Sequence, residues 1–158
     1  MDISIRHPGA NFHLRAAALI IDHGRLLMVK SDDSDMYYTV GGRIRVGESS
    51  ADAVLREVLE ETRQPLDIDR LLFVDERFFH YNDADHHQVC FFYLMKTPVS
   101  PIPDGKPTDQ PGESLVWLPI DDLPNLPLVP DFLRTALQAL PTLPIHLISK
   151  ESQLEQKS

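Results

Sequence analysis

The stretch that decides the reading is Gly41-Gly42-Arg43-Ile44-Arg45-Val46-Gly47-Glu48, followed directly by SSADAVLREVLEETRQP at residues 49–65. Glycines at 41, 42 and 47 mark a loop. Ser49 suits a helix N-cap, with Asp52 three residues on as a variant of the capping box. Pro65 forbids continuation and disfavours helix at Gln64, so the pattern predicts a helix over 50–63. Ala51, Val54, Leu55, Val58 and Leu59 recur at helical spacing and predict an apolar face against a sheet. Arg56, Glu57, Glu60 and Glu61 form the polar face, and the three glutamates stand at i, i+3 and i+4. Like charges so spaced repel by about 0.2–0.5 kcal/mol per pair in water, and by more when sheltered. A divalent cation turns that repulsion into a binding site, and clustered carboxylates suit Mg²⁺ or Mn²⁺, which also take substrate phosphates. Read alone, the same glutamates fit a solvated face, with Glu60 paired to Arg56 and Arg63.

Working outward, the chain has 158 residues and a formal charge of −9, which suits one domain able to bury a core of its own. The acidic balance excludes a nucleic-acid polymer or an anionic membrane as main partner, since both demand basic surface. The lone cysteine, Cys90, permits no internal disulfide and fits a reducing compartment. Neither a signal peptide nor a membrane span is visible, so the expected location is the cytoplasm.

Apolar runs at 14–21 and 26–29, separated by Asp22-His23-Gly24-Arg25, predict a β-hairpin. Strands are expected at 37–40, 71–81, 88–96 and 115–118, the middle two joined through Asn82-Asp83-Ala84-Asp85. Prolines 98, 101, 103, 107 and 111 make an irregular loop, and 119–130 should be extended or turn-like. A second helix is expected from Asp131 through Leu140, ended by Pro141 and Pro144. The expected organisation is one domain over 1–148 with a frayed polar tail at 149–158, of the mixed α/β class.

The central segment resembles the Nudix box, the signature of the Nudix hydrolases. Gly42 and Glu48 stand at its first glycine and glutamate, and Arg56-Glu57 at its Arg-Glu pair. Val58, Leu59 and Glu60-Glu61 follow in order, so every charged position of the box is present across 42–64. Where the box closes on a glycine and an aliphatic residue, this chain has Arg63 and Gln64. The closing glycine is a helix-ending device, and Pro65 is expected to take over that task, altering the helix exit and leaving the acidic site intact. The segment Trp117-Leu118-Pro119-Ile120-Asp121-Asp122-Leu123 is also similar to the family.

The resemblance implies a Nudix-type α/β/α sandwich (α+β, a mixed β-sheet between helices) and a metal-dependent pyrophosphohydrolase. Its substrate would be a nucleoside diphosphate linked to another group, a nucleoside triphosphate (oxidised or not) foremost, with ADP-ribose or a dinucleoside polyphosphate as alternatives. A non-catalytic nucleotide-binding module on the same fold is the rival from another class. The resemblance implies Glu57, Glu60, Glu61 and the Gly41 carbonyl as ligands of Mg²⁺ or Mn²⁺. Arg56 would orient the glutamates, Glu48 would support them, and a homodimer is the expected assembly. Asp109 and Glu113 are the general-base candidates outside the box. Arg15, Lys30 and Arg77 are candidates for substrate phosphates, and Phe79 and Tyr81 for stacking on a base. Tyr81 lies where diadenosine-polyphosphate hydrolases carry a tyrosine, and Phe79 about where ADP-ribose enzymes carry a proline. His80, His86 and His87 with Asp83 and Asp85 lack metal-ligand spacing and read as an exposed turn.

Overall fold

The structure, a computed structural model, describes residues 1–151. Its strands are β1 (Ser4–His7), β2 (Ala10–Leu19), β3 (Ile21–Asp22), β4 (Arg25–Ser31) and β5 (Tyr37–Arg43). Helix α1 (Ser50–Thr62) leads into β6 (Ile68–Tyr81), β7 (Ala84–Met95) and β8 (Glu113–Pro119). A 3₁₀ turn (Ile120–Asn125), β9 (Leu128–Val129), α2 (Leu133–Ala136) and β10 (Ile145–Lys150) complete the order. The strands form one mixed sheet in the order β10-β6-β7-β2-β5-β4-β3, with β1 on β2, β8 on β4 and β9 on β5. The β2–β7 and β6–β10 pairings are parallel.

The run of apolar residues in β2 reads continuously because both faces of that strand are covered. Ala16, Ala18 and Ile20 pack with Ala53, Val54 and Val58 of α1 on one face. Ala17 and Leu19 pack with Leu133 and Leu137 on the other. The sheet thus lies between α1 and the segment around α2, the layering the resemblance implies.

Five local expectations are corrected. The hairpin after β2 is only two residue pairs long (Ile21 with Leu26, Asp22 with Arg25). Beyond them β5 inserts between β2 and β4, so β2 spends its edges on β5 and β7 instead. On α1 the buried face is Ala53, Val54, Val58, Glu61 and Thr62, whereas Leu55 and Leu59 are 38% and 49% exposed. The helix is therefore rotated so that a glutamate, not a leucine, meets the sheet. The C-terminal helix shrinks to the four residues of α2, although Phe132, Leu133 and Leu137 still pack in the core. Ser149 and Lys150, expected in a frayed tail, belong to β10, which lies parallel along β6; residues 152–158 of that tail fall outside the described residues. Parallel pairing is a distant contact, which no local pattern announces. Finally, Arg63 itself takes the left-handed conformation (φ 60°) at the end of α1, so the helix exit keeps the geometry of the missing glycine.

Candidate active site

The loop after β5 delivers its backbone to the acidic side of α1. Ser49 caps the helix, accepting the Asp52 amide at 3.0 Å. A Cβ at Gly42 would lie 2.4 Å from the Glu57 carboxyl, so only glycine leaves that carboxylate its place. Gly41 has φ 144°, and a Cβ there would meet the Ala16 carbonyl oxygen at 2.3 Å. Its amide donates to Glu61 Oε1 at 2.9 Å. The glycine pair thus allows strand and helix to approach until main chain and carboxylates touch.

Arg56 is the hub. Its Nε and Nη2 donate to the two oxygens of Glu48 at 2.7 and 3.0 Å. Nη1 donates to Glu57 at 2.6 Å and to Glu60 at 3.3 Å, and Nη2 also reaches the Arg43 carbonyl at 3.1 Å. The Arg45 amide completes the grip on Glu48 at 2.9 Å. The expected partner Arg63 is not used by Glu60, whose other oxygen lies 3.8 Å from Arg45 instead.

These contacts divide the carboxylates electrostatically. The Arg56 guanidinium holds Glu48 down to about 2. Burial pushes Glu61 up to about 8, against its bond from Gly41, with the charges of Glu57, Glu113 and Asp109 adding to the rise. Burial also raises Glu57, against the pull of Arg56 and of Arg15. A pair of sheltered carboxylates on one helix face, one of them reluctant to ionise, is what a cation would relieve. Among the described residues no three His, Cys, Asp or Glu side chains converge as a ready-made metal cage. Glu57 and Glu60 each give an oxygen to Arg56, and the fit to a divalent cation lies in the oxygen donor set and in that electrostatic strain.

The structure therefore brings Gly41, Glu48, Arg56, Glu57, Glu60 and Glu61 together. Asp109 and Glu113 are close enough for their charges to act on Glu61, and Arg15 close enough to act on Glu57. Lys30 is turned to its own loop, bonding the Ser34 carbonyl and lying over the Tyr37 ring. Arg77, Phe79 and Tyr81 form a separate group at the far end of β6: Arg77 binds Glu151, Phe79 stacks on His86, and Tyr81 is exposed. His80 pairs with Asp85 at 2.9 Å on the surface, as an exposed turn would. His86 and His87 are instead half-buried against Phe79 and Phe78.

Three participants escaped the sequence reading. Arg43 stands opposite Arg15 in the sheet, and its buried Nε has no acceptor among the described residues. Asp75, wholly buried opposite Cys90, has one oxygen without a partner among the described residues. Glu151 is the third. An acid inside the apolar run of β6 was the available signal for Asp75; Glu151 offered none.

A family model described as NUDIX domain matches residues 11–140. The chain belongs to the Nudix family and is a hydrolase acting on pyrophosphate bonds. Solved structures resemble it over most of its length. A MutT Nudix hydrolase of Burkholderia pseudomallei is 27% identical, covering 70% of this chain and 84% of its own, with a TM-score of 0.56. A mutator MutT protein of Bacillus halodurans has a TM-score of 0.63 at 17% identity, covering 85% and 89%. An ADP-ribose pyrophosphatase of Streptococcus suis has a TM-score of 0.53 at 17% identity, covering 87% and 98%. Comparison with curated proteins finds no match. No helix among the described residues is long and apolar enough to cross a membrane.

Proposed function

We propose that this hydrolase depends on Mg²⁺ or Mn²⁺ and cleaves a small nucleotide, with a nucleoside triphosphate as its first substrate class. The observation that carries this reading is the Gly41-Gly42 backbone pressed against Glu57 and Glu61 while Arg56 gathers Glu48, Glu57 and Glu60. We assign Glu57, Glu60, Glu61 and the Gly41 carbonyl to the metal. When bound, the cation supplies charge neutralisation for the phosphates and lowers the pKa of attacking water. Arg56 keeps two carboxylates in one orientation and is itself held by Glu48, so the acidic face stays ordered without a ligand. Arg15 offers positive charge beside the acids, acting on Glu57. Asp109 and Glu113, whose charges reach Glu61, are assigned as the alternatives for the general base.

The test is a panel of nucleoside triphosphates, dinucleoside polyphosphates, nucleotide sugars and ADP-ribose incubated with Mg²⁺, products being resolved by chromatography. Release of a nucleoside monophosphate and pyrophosphate from a triphosphate is the expected result. Turnover confined to ADP-ribose or a dinucleotide would move the substrate class, and no turnover anywhere would favour a binding module.

A further inference from the structure

Arg77 lies on the sheet face opposite α1, directly across from Gln88 on β7 and Ser149 on β10. It is only 4% exposed, yet the partner that neutralises it lies at the very end of the last strand's run. Nε and Nη2 of Arg77 donate to the two oxygens of Glu151 at 2.7 and 2.6 Å, and the guanidinium lies 4.3 Å from the Phe79 ring centroid. A planar fork stacked on an aromatic ring and closed on two oxygens is the geometry by which arginine takes carboxylate or phosphate.

A second carboxylate is at hand. Asp75 sits two residues away on the same face of β6, its Oδ1 accepting from Ser149 at 2.7 Å and its Oδ2 unpartnered among the described residues. The fork nevertheless faces Glu151, which lines an open groove of about 450 Å³ with Phe79, His80, His86 and Lys150. Arg77 does not itself line the groove; its fork is closed by Glu151, which does. Glu151 is secured there by one main-chain bond, its amide to the Phe78 carbonyl at 2.9 Å.

We propose that Arg77 is an oxyanion receptor opening on this groove, and that the chain fills it with its own Glu151, which an anionic group of a ligand displaces. The identity of the natural ligand rests on the nucleotide-hydrolase reading; the receptor itself does not. An internal carboxylate competing for the fork scales the apparent affinity by the fraction of time the fork stands free.

The experiment compares thermal melting of the full chain with and without inorganic phosphate, in EDTA and at constant ionic strength. Wild type, Glu151→Gln and the double variant Arg77→Gln/Glu151→Gln are measured. Phosphate should raise the Tm of Glu151→Gln by about 3 °C more than that of wild type, because the vacated fork binds it. The double variant should lose that extra shift. Equal phosphate shifts in all three proteins would mean that Glu151 is merely a strap on β10, and would overturn the proposal. If Glu151→Gln does not fold, Glu151→Asp, with its shortened reach, replaces it under the same two outcomes. A kinetic arm separates the two readings: with any substrate from the panel, Glu151→Gln should lower KM about 5-fold at unchanged kcat. Absence of all turnover in wild type would count against the nucleotide reading and leave the phosphate result standing.

Discussion

Arg56 and Arg77 are both sunk into the protein, and each is gripped by both oxygens of one glutamate. Their partners differ in origin. Glu48 stands eight positions before Arg56, in the loop that the same helix caps. Glu151 stands 74 positions after Arg77, just past a strand that reaches β6 by a parallel docking. The first clamp belongs to one local segment and shares its arginine among several carboxylates. The second joins distant parts of the chain and closes its arginine on both oxygens of Glu151. One is built to hold a site in order, the other to be opened.

The largest joint loss of turnover and stability should follow from breaking the first clamp. Lysine at position 56 is a point charge that cannot span the Glu48 fork, Glu57 and the Arg43 carbonyl together. Arg56→Lys should lose about 10²-fold in turnover and about 2 kcal/mol of stability in urea unfolding. Gly42→Ala attacks the same clamp from the strand side. Its Cβ must displace the Glu57 carboxyl or the helix, so it should cost about 1–3 kcal/mol and most of the activity, read by the same two assays.

The pH dependence distinguishes the two kinds of carboxylate around Arg56. Glu61, raised to about 8, binds a proton more tightly folded than unfolded. Its contribution is fully present below its unfolded value and is lost as pH rises through the folded one. Glu48, held at about 2, does the reverse: its contribution is present above its unfolded value and is lost as pH falls toward 2. In EDTA the protein should therefore weaken as pH rises from about 4.5, the ordinary carboxylate value, to about 8, by on the order of a few kcal/mol. Urea midpoints across that range should flatten in Glu61→Gln, which should also be the more stable protein at pH 9. The smallest effect concerns the helix exit. Arg63→Gly relieves a side chain at φ 60° and should stabilise by about 0.5–1 kcal/mol, read as a Tm increase at unchanged activity.

What the sequence disclosed follows the same division. Glu48, Arg56, Glu57, Glu60, Glu61 and the glycines were legible because their contacts lie within one loop and one helix, where spacing implies position. The hairpin of β6 and β7 was legible from its polar turn, and Asn82 and Asp83 take the positive φ values of 51° and 56° that such turns need. The insertion of β5 between β2 and β4, the strand β10 and the Arg77–Glu151 pair were not legible, since they depend on long-range pairing. The rotation of α1 departs from the periodic pattern for a related reason. Leu55 and Leu59 match the periodic pattern, but the bond from the Gly41 amide and the close fit of Gly42 draw Glu57 and Glu61 to the sheet in their place.

The central claim, that the acidic face of α1 is a metal-dependent hydrolytic site, is tested most directly by Glu60→Gln. This residue lies at the solvent edge of the cluster, so the substitution leaves the core untouched. With Mg²⁺ and the best substrate of the panel, turnover should fall by about 10²–10³-fold while Tm stays within about 2 °C of wild type. Unchanged turnover in that variant would contradict the account.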